Sequence, residues 1–327
     1  MKASQIIRSL ETLIRSKQPT FIWGPPGIGK SQIVQQKGAQ MGLEILDVRA
    51  VLLDPVDLRG IPHITDNGLS KWCAPSFLPQ EGEGILFLDE LNAAPPLVQA
   101  ACYQLILDRK IGEYHLPDGW AIIAAGNREK DRAVTHRMPS ALANRFIHID
   151  FTVDIEEWLN WAKKQGIAAE IIDFIKFRPA LLHDFNPEKN NRAFPSPRSW
   201  EFASQLILSG LTGDVLHELL QGTVGKAAAT EFIGFLKIFN QLPRIEDILD
   251  KPMAVELPTD PAVLFATCEM VGKLVKMDSA ENMFLFAGRL PEEFGVLLVR
   301  EAVRNCNQIS ELNTFSKWAA SNAELLV

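Results

Sequence analysis

The sequence predicts an α/β fold: a parallel sheet followed by an all-helical lid and a helical C-terminal extension. Three observations predict it. Apolar runs without polar alternation, such as Thr20–Trp23, Gly84–Leu88 and Trp120–Ala125, alternate with helical patterns up to about residue 152. That is how strands buried on both faces of a parallel sheet read. Beyond residue 152 the apolar spacing becomes helical throughout. Finally, a glycine-rich loop stands between the first strand and the next helix, the place where such a sheet binds its ligand. The expected division is 1–152 for the sheet domain, 153–242 for the lid and 243–327 for the extension.

The elements follow in order. Residues 4–17 put Ile6, Ile7, Leu10, Leu13 and Ile14 on one side of a helix. Thr20–Trp23 is a strand, about 31–41 a helix and 44–50 a second strand. Residues 51–80 are less regular, with a hairpin over 60–72 whose turn is Asn67-Gly68. Residues 84–88 form a strand and 96–109 a helix. A small hairpin is expected at 110–119, with Pro117-Asp118-Gly119 as its turn. Residues 120–125 form a further strand, 139–144 a short helix and 146–151 another strand. Helices are expected at 155–165, 168–177, 198–209, 213–220 and 226–240. The three prolines of 243–260 suggest a linker or irregular crossing, and 261–327 is helical.

Composition excludes several classes. The 327 residues are 47% hydrophobic and 22% charged, ordinary globular values, and long enough to bury a core without disulfides or structural metals. A net charge of −7 argues against a nucleic-acid coat, which needs a basic surface. The four cysteines, Cys73, Cys102, Cys268 and Cys306, form no CxxC pair, and the six histidines show no metal-site spacing. The charged N-terminal stretch has no signal-peptide core, and no apolar run reaches the roughly 18 residues of a membrane span. The expectation is a soluble cytoplasmic protein. Trp158, Trp161 and Trp200 read as core of the helical region and not as a stacking platform for bases.

Gly24-Pro25-Pro26-Gly27-Ile28-Gly29-Lys30-Ser31 fits GxxxxGK[ST] in full, after a strand and before a helix. Glycines let backbone N–H groups turn inward around phosphate oxygens, and the helix start adds its positive dipole end. Lys30 is expected to reach the β- and γ-phosphates of ATP, and the Ser31 hydroxyl to ligate Mg²⁺. The apolar run Ile85–Leu88 ends in Asp89-Glu90. Burial explains the apolar residues but not two adjacent acids. Asp89 is expected to hold Mg²⁺ through water, and Glu90 to polarise the attacking water as general base. The strand 121–125 ends in Gly126-Asn127, whose amide suits the γ-phosphate and that water. Arg145, at a helix end before a strand, suits transition-state charge in a neighbouring subunit, although Arg132 or Arg137 could serve instead. Arg198, at the start of a helix in the lid, suits the γ-phosphate.

Together these segments resemble the AAA+ ATPases, P-loop NTPases with an αβα sandwich, and within them the MoxR family, over about residues 1–235. The most specific stretch is 86–101, Leu-Phe-Leu-Asp-Glu-Leu-Asn-Ala-Ala-Pro-Pro-Leu-Val-Gln-Ala-Ala, similar to the family's Walker B segment. Asp57-Leu58-Arg59-Gly60 resembles its helix-2 insertion and the 110–119 hairpin its insertion before the sensor strand. The resemblance implies a hexameric ring that hydrolyses Mg²⁺-ATP, with Asn127 as sensor 1, Arg145 as arginine finger and Arg198 as sensor 2. It further implies a chaperone-like remodeller acting with a von Willebrand factor A domain protein. Two alternatives remain: a nucleic-acid-translocating or restriction-type motor of the same fold, and a nucleotide-gated scaffold that does not hydrolyse.

Overall fold

In a computed structural model, residues 1–131, 138–189, 192–239 and 241–322 are described. The chain divides into two compact units, Met1–Ala228 and Ala229–Val327. Among the described residues, no helix is long and apolar enough to cross a membrane.

The first unit begins with α1 (Ala3–Arg15), β1 (Thr20–Trp23), α2 (Lys30–Met41), β2 (Glu44–Arg49) and a short α3 (Pro55–Arg59). The exposed hairpin β3 (Ile61–Ile64) and β4 (Ser70–Cys73) follows, then β5 (Glu83–Asp89) and α4 (Pro96–Asp108). A two-residue hairpin, β6 (Lys110–Ile111) and β7 (Tyr114–His115), leads into β8 (Gly119–Gly126), α5 (Ser140–Ala143) and β9 (Ile147–Asp150). Helices α6 (Ile155–Gln165), α7 (Ala169–Phe177), α8 (Pro197–Leu208) and α9 (Gly213–Val224) come next, and most of α10 (Lys226–Phe239) belongs to the second unit.

The sheet is five-stranded, in the order β2-β5-β8-β1-β9, and every pairing is parallel. Successive side chains on its strands point to opposite faces, and both faces are covered. Phe21, Leu86, Leu88 and Ile122 enter one core with Val98, Cys102 and Leu105 of α4. Ile22, Ile85, Phe87 and Ile123 enter the other, with Ile6, Leu10 and Ile14 of α1 and Val34 of α2. This explains the unbroken apolar runs. Register then aligns the carboxyl ends: Trp23 pairs with Gly126 and with Asp150, and Arg49 with Asp89. Gly24, Asp89 and Asn127 therefore leave the sheet at one rim.

In the second unit, α11 (Ile245–Asp250), α12 (Pro261–Leu274), α13 (Ala280–Ala287), α14 (Glu292–Asn305) and α15 (Asn313–Ser321) pack around Val271, Met283, Phe286, Leu298 and Ile309. The proline-rich stretch between α11 and α12 is tied down by side chains. Arg289 donates to Pro252 O and, through Nη2, to Val255 O at 2.9 Å, while Asn282 Nδ2 donates to Leu249 O at the end of α11 at 2.6 Å.

Several expectations need correction. The irregular stretch after β2 contains α3, capped by Asp54 with Pro55 at its first turn, and Leu58 is buried. The segment read as a linker contains α11, and α9 runs on past 220 to Val224. Pro117–Gly119 is not the turn of the small hairpin. That turn lies at Gly112, where φ is +56°, whereas Pro117 O is held by Arg109 Nη2 at 2.8 Å and the chain turns there into β8. Trp200 is fully buried and donates to Leu181 O, but Trp161 is only partly covered.

Candidate active site

The site grows from the end of β1. Gly27 and Gly29 adopt φ of +78° and +94°, a conformation that side-chain-bearing residues rarely take, and α2 begins directly at Lys30. The first N–H groups of a helix have no partner within it and point at whatever lies before it. Lys30 folds back over the loop. Its Nζ donates to Gly24 O at 2.8 Å, to Pro25 O at 3.1 Å and to Asn127 Oδ1 at 2.9 Å. Burial drives its pKa down to about 8, opposed by the charges of Asp89, Asp131 and Glu90, while the nearby Arg198 charge lowers it further. An ammonium so poised gains by meeting a polyanion.

Next to it, Ser31 Oγ donates to Asp89 Oδ2 at 2.8 Å, joining the start of α2 to the end of β5. Glu90 follows in the left-handed region at φ +55°, with its side chain exposed and its N–H held by Asp89 Oδ1 at 2.9 Å. The rim thus carries an ammonium, an amide, a hydroxyl and two carboxylates around a helix start. Ser31 and Asp89 are the two oxygen-bearing side chains that this part of the rim could offer a divalent cation.

α8 closes over the loop. Arg198 N donates to Gly27 O at 3.2 Å, and Ser196 caps the helix through Ser199 N. Contact is tight enough that a Cβ on Gly27 would lie 2.7 Å from Ser196 Oγ. Arg198 is therefore beside the loop, with its side chain exposed. Arg145 is not. It follows α5, precedes β9 by two residues and is exposed, and β9 starts level with the start of β1, as Ile147 pairs with Thr20. That is the rim opposite the loop. Arg132 and Arg137 lie outside the described residues.

Sequence reasoning missed three residues here. Asn92, in the 3-10 turn after Glu90, is 2% exposed and donates through Nδ2 to Asn127 O at 2.6 Å. Asp131 is buried and takes both Arg128 N and Arg128 Nε at 3.0 Å. His183, whose pKa burial lowers, lies 3.4 Å from Pro26 O. Two cavities flank the loop. One, of about 410 Å³, lies between Arg128, Asp131 and His183; the other, of about 400 Å³, is lined by Ile7, Ile28, Gln32, Trp158 and Trp161. No residue-type signal marked these positions in the sequence: Asn92 and His183 matter through partners distant along the chain, and the Arg128–Asp131 pair through its nearness to Lys30.

Neither a protein-family model nor a curated protein sequence matches the chain. Solved structures similar to it include a candidate ATPase from Cytophaga hutchinsonii, at 17% identity over 90% of this chain and 79% of that one, with a TM-score of 0.41. NtrX from Brucella abortus in complex with ADP is 16% identical over 99% of this chain and 68% of that one, with a TM-score of 0.43. The Holliday junction branch migration motor RuvB of Thermotoga maritima is 15% identical over 86% of this chain and 83% of its own, with a TM-score of 0.42. None of these distant likenesses bears on chemistry, for which the side chains at the rim are the guide.

Proposed function

We propose that the chain is an ATPase of the AAA+ type, similar to the MoxR family, that turns ATP hydrolysis into remodelling of a partner protein. One observation carries the reading. Lys30, Asn127, Ser31 and Asp89 meet through hydrogen bonds of 2.8–2.9 Å at the start of a helix preceded by two left-handed glycines. A structural role does not call for that set. A buried lysine against carbonyls and a serine against a carboxylate are groups waiting for a triphosphate and its counter-ion.

On this reading Lys30 leaves the carbonyls of Gly24 and Pro25 for phosphate oxygens. The amides of Gly27 to Ser31 surround the β-phosphate, and the cavity lined by Ile28, Trp158 and Trp161 takes the base. Ser31 and Asp89 would hold Mg²⁺, and the ion would neutralise charge on the phosphate oxygens. Glu90 accepts the proton of the attacking water as its oxygen bonds to the γ-phosphorus. The bond from that phosphorus to the bridging oxygen breaks, leaving ADP and phosphate. Asn127 orients the water and Arg198 pairs with the γ-phosphate from the lid.

Residues 1–152 form the motor core, 153–242 the lid and 243–327 an extension. Arg145 serves the site of a neighbouring copy in a ring, for which six subunits is the expected number. The resemblance of residues 86–101 to the MoxR segment supports a von Willebrand factor A domain protein as partner.

The test is steady-state hydrolysis of Mg²⁺-ATP by the native chain, Lys30→Ala and Glu90→Gln. Near-total loss of turnover in both variants is expected, with nucleotide binding kept in Glu90→Gln. Unchanged rates in either would refute the assignment. A pull-down with Glu90→Gln locked on ATP then identifies the partner.

A further inference from the structure

Asn92 is an expensive residue in its place. Its side chain is 2% exposed, and its Oδ1 has no hydrogen-bond partner among the described atoms. A buried acceptor left unpaired costs stability. Its amide also demands a glycine opposite. A Cβ on Gly126, the last residue of β8, would overlap Asn92 Oδ1 and come within 2.8 Å of its Cγ and 2.9 Å of Phe21 Cζ. An apolar residue at position 92 would avoid the unpaired acceptor. What it could not do is donate a hydrogen bond to Asn127 O, which Asn92 Nδ2 does at 2.6 Å.

That carbonyl belongs to the residue whose side chain accepts from Lys30 Nζ. Fixing it fixes the peptide that follows Asn127. On one side this aims the Asn127 amide at Lys30. On the other it sets the N–H of Arg128, which donates to Asp131 Oδ2 at 3.0 Å. Asn92 itself is anchored two residues after Glu90, where the left-handed Glu90 turns the chain into the 3-10 turn Leu91–Ala93. One side chain thus ties the exit of the acidic strand β5 to the exit of its neighbour β8.

We propose that Asn92 is a positioning residue for nucleotide hydrolysis, holding the Asn127 amide in register with the acids at 89 and 90. The proposal rests on the ATPase reading above. Asn92 touches the backbone of Asn127 and is bonded to none of Gly27 to Ser31, so it should govern the rate of the chemical step and leave the affinity for ADP nearly alone.

The experiment compares the full-length chain with Asn92→Ala, Asn127→Ala and the double variant. It reads kcat and KM for ATP, the Kd of a fluorescent ADP, and thermal melting. In Asn92→Ala we expect kcat to fall by about 10- to 100-fold, the scale of a small misplacement in an active site. The Kd for ADP should stay within about threefold. Because Asn92 acts through Asn127, the double variant should be no slower than Asn127→Ala alone. The proposal is overturned if Asn92→Ala turns over like the native chain, or if the double variant loses the product of the two single losses. Should Asn92→Ala not fold, Asn92→Asp keeps the shape. Only its protonated carboxyl can donate to Asn127 O, so its rate relative to the native chain should climb as pH falls; a ratio independent of pH overturns the proposal. The ATPase reading fails separately, when the native chain, Lys30→Ala and Glu90→Gln do not differ.

Discussion

Lys30 should make nucleotide binding depend on pH in a window where few proteins change. Its pKa lies at about 8 because burial disfavours the ammonium more than Asp89, Asp131 and Glu90 favour it. Binding a triphosphate needs the charged form. With a pKa of about 8, roughly nine in ten chains carry that charge at pH 7 and one in ten at pH 9, so affinity should fall about tenfold between them. At pH 8 each binding event should take up about half a proton. The unliganded protein should respond with the opposite sign. An unfolded lysine keeps its proton up to about 10.4, so between about 8 and that value the unfolded chain binds more protons and stability rises with pH. Titration calorimetry of ADP at pH 7, 8 and 9, in buffers of different ionisation enthalpy, measures affinity and proton uptake together. Lys30→Met serves as control, with weaker binding and no slope. Affinity flat from pH 7 to 9 in the native chain, or an equal slope in Lys30→Met, would refute the reasoning.

Further outcomes follow from the same contacts. Asp131→Asn removes a charge that raises the Lys30 pKa, so the midpoint of the affinity profile should move to lower pH, read by the same calorimetry. Asp89→Asn should raise the Mg²⁺ needed for half-maximal turnover by roughly 10-fold or more, measured by Mg²⁺ titration. Gly27→Ala places a side chain at φ +78° and 2.7 Å from Ser196 Oγ. It should cost about 1–2 kcal/mol from the backbone alone, seen as a lower Tm, and should weaken nucleotide binding.

The sheet was legible because each core strand is buried on both faces and shows it as an unbroken apolar run. The acids at 89 and 90 stood out because burial could not account for them. α3 carried its own signals, Asp54 as cap and Pro55 in the first turn, but its five residues hold too little apolar periodicity to stand out in an irregular stretch. α11 was hidden by the prolines on both sides of it. Pro117–Gly119 looked like a hairpin turn because its composition is that of one; the claim of Arg109 on Pro117 O comes from outside the segment. The same holds at the site. Lys30 and Ser31 belong to a contiguous motif, whereas Asn92 and Asn127 are 35 residues apart, and nothing local in either announces the other.

Arg145 stands where β9 begins, and the phosphate loop stands where β1 ends. Four strand residues separate those levels, roughly 13 Å of strand rise before the loop even starts. A lone chain therefore has no means of delivering that guanidinium to its own triphosphate. If Arg145 serves hydrolysis as proposed, it does so in the site of another copy, and specific activity should then collapse on dilution even while each diluted chain still holds its nucleotide.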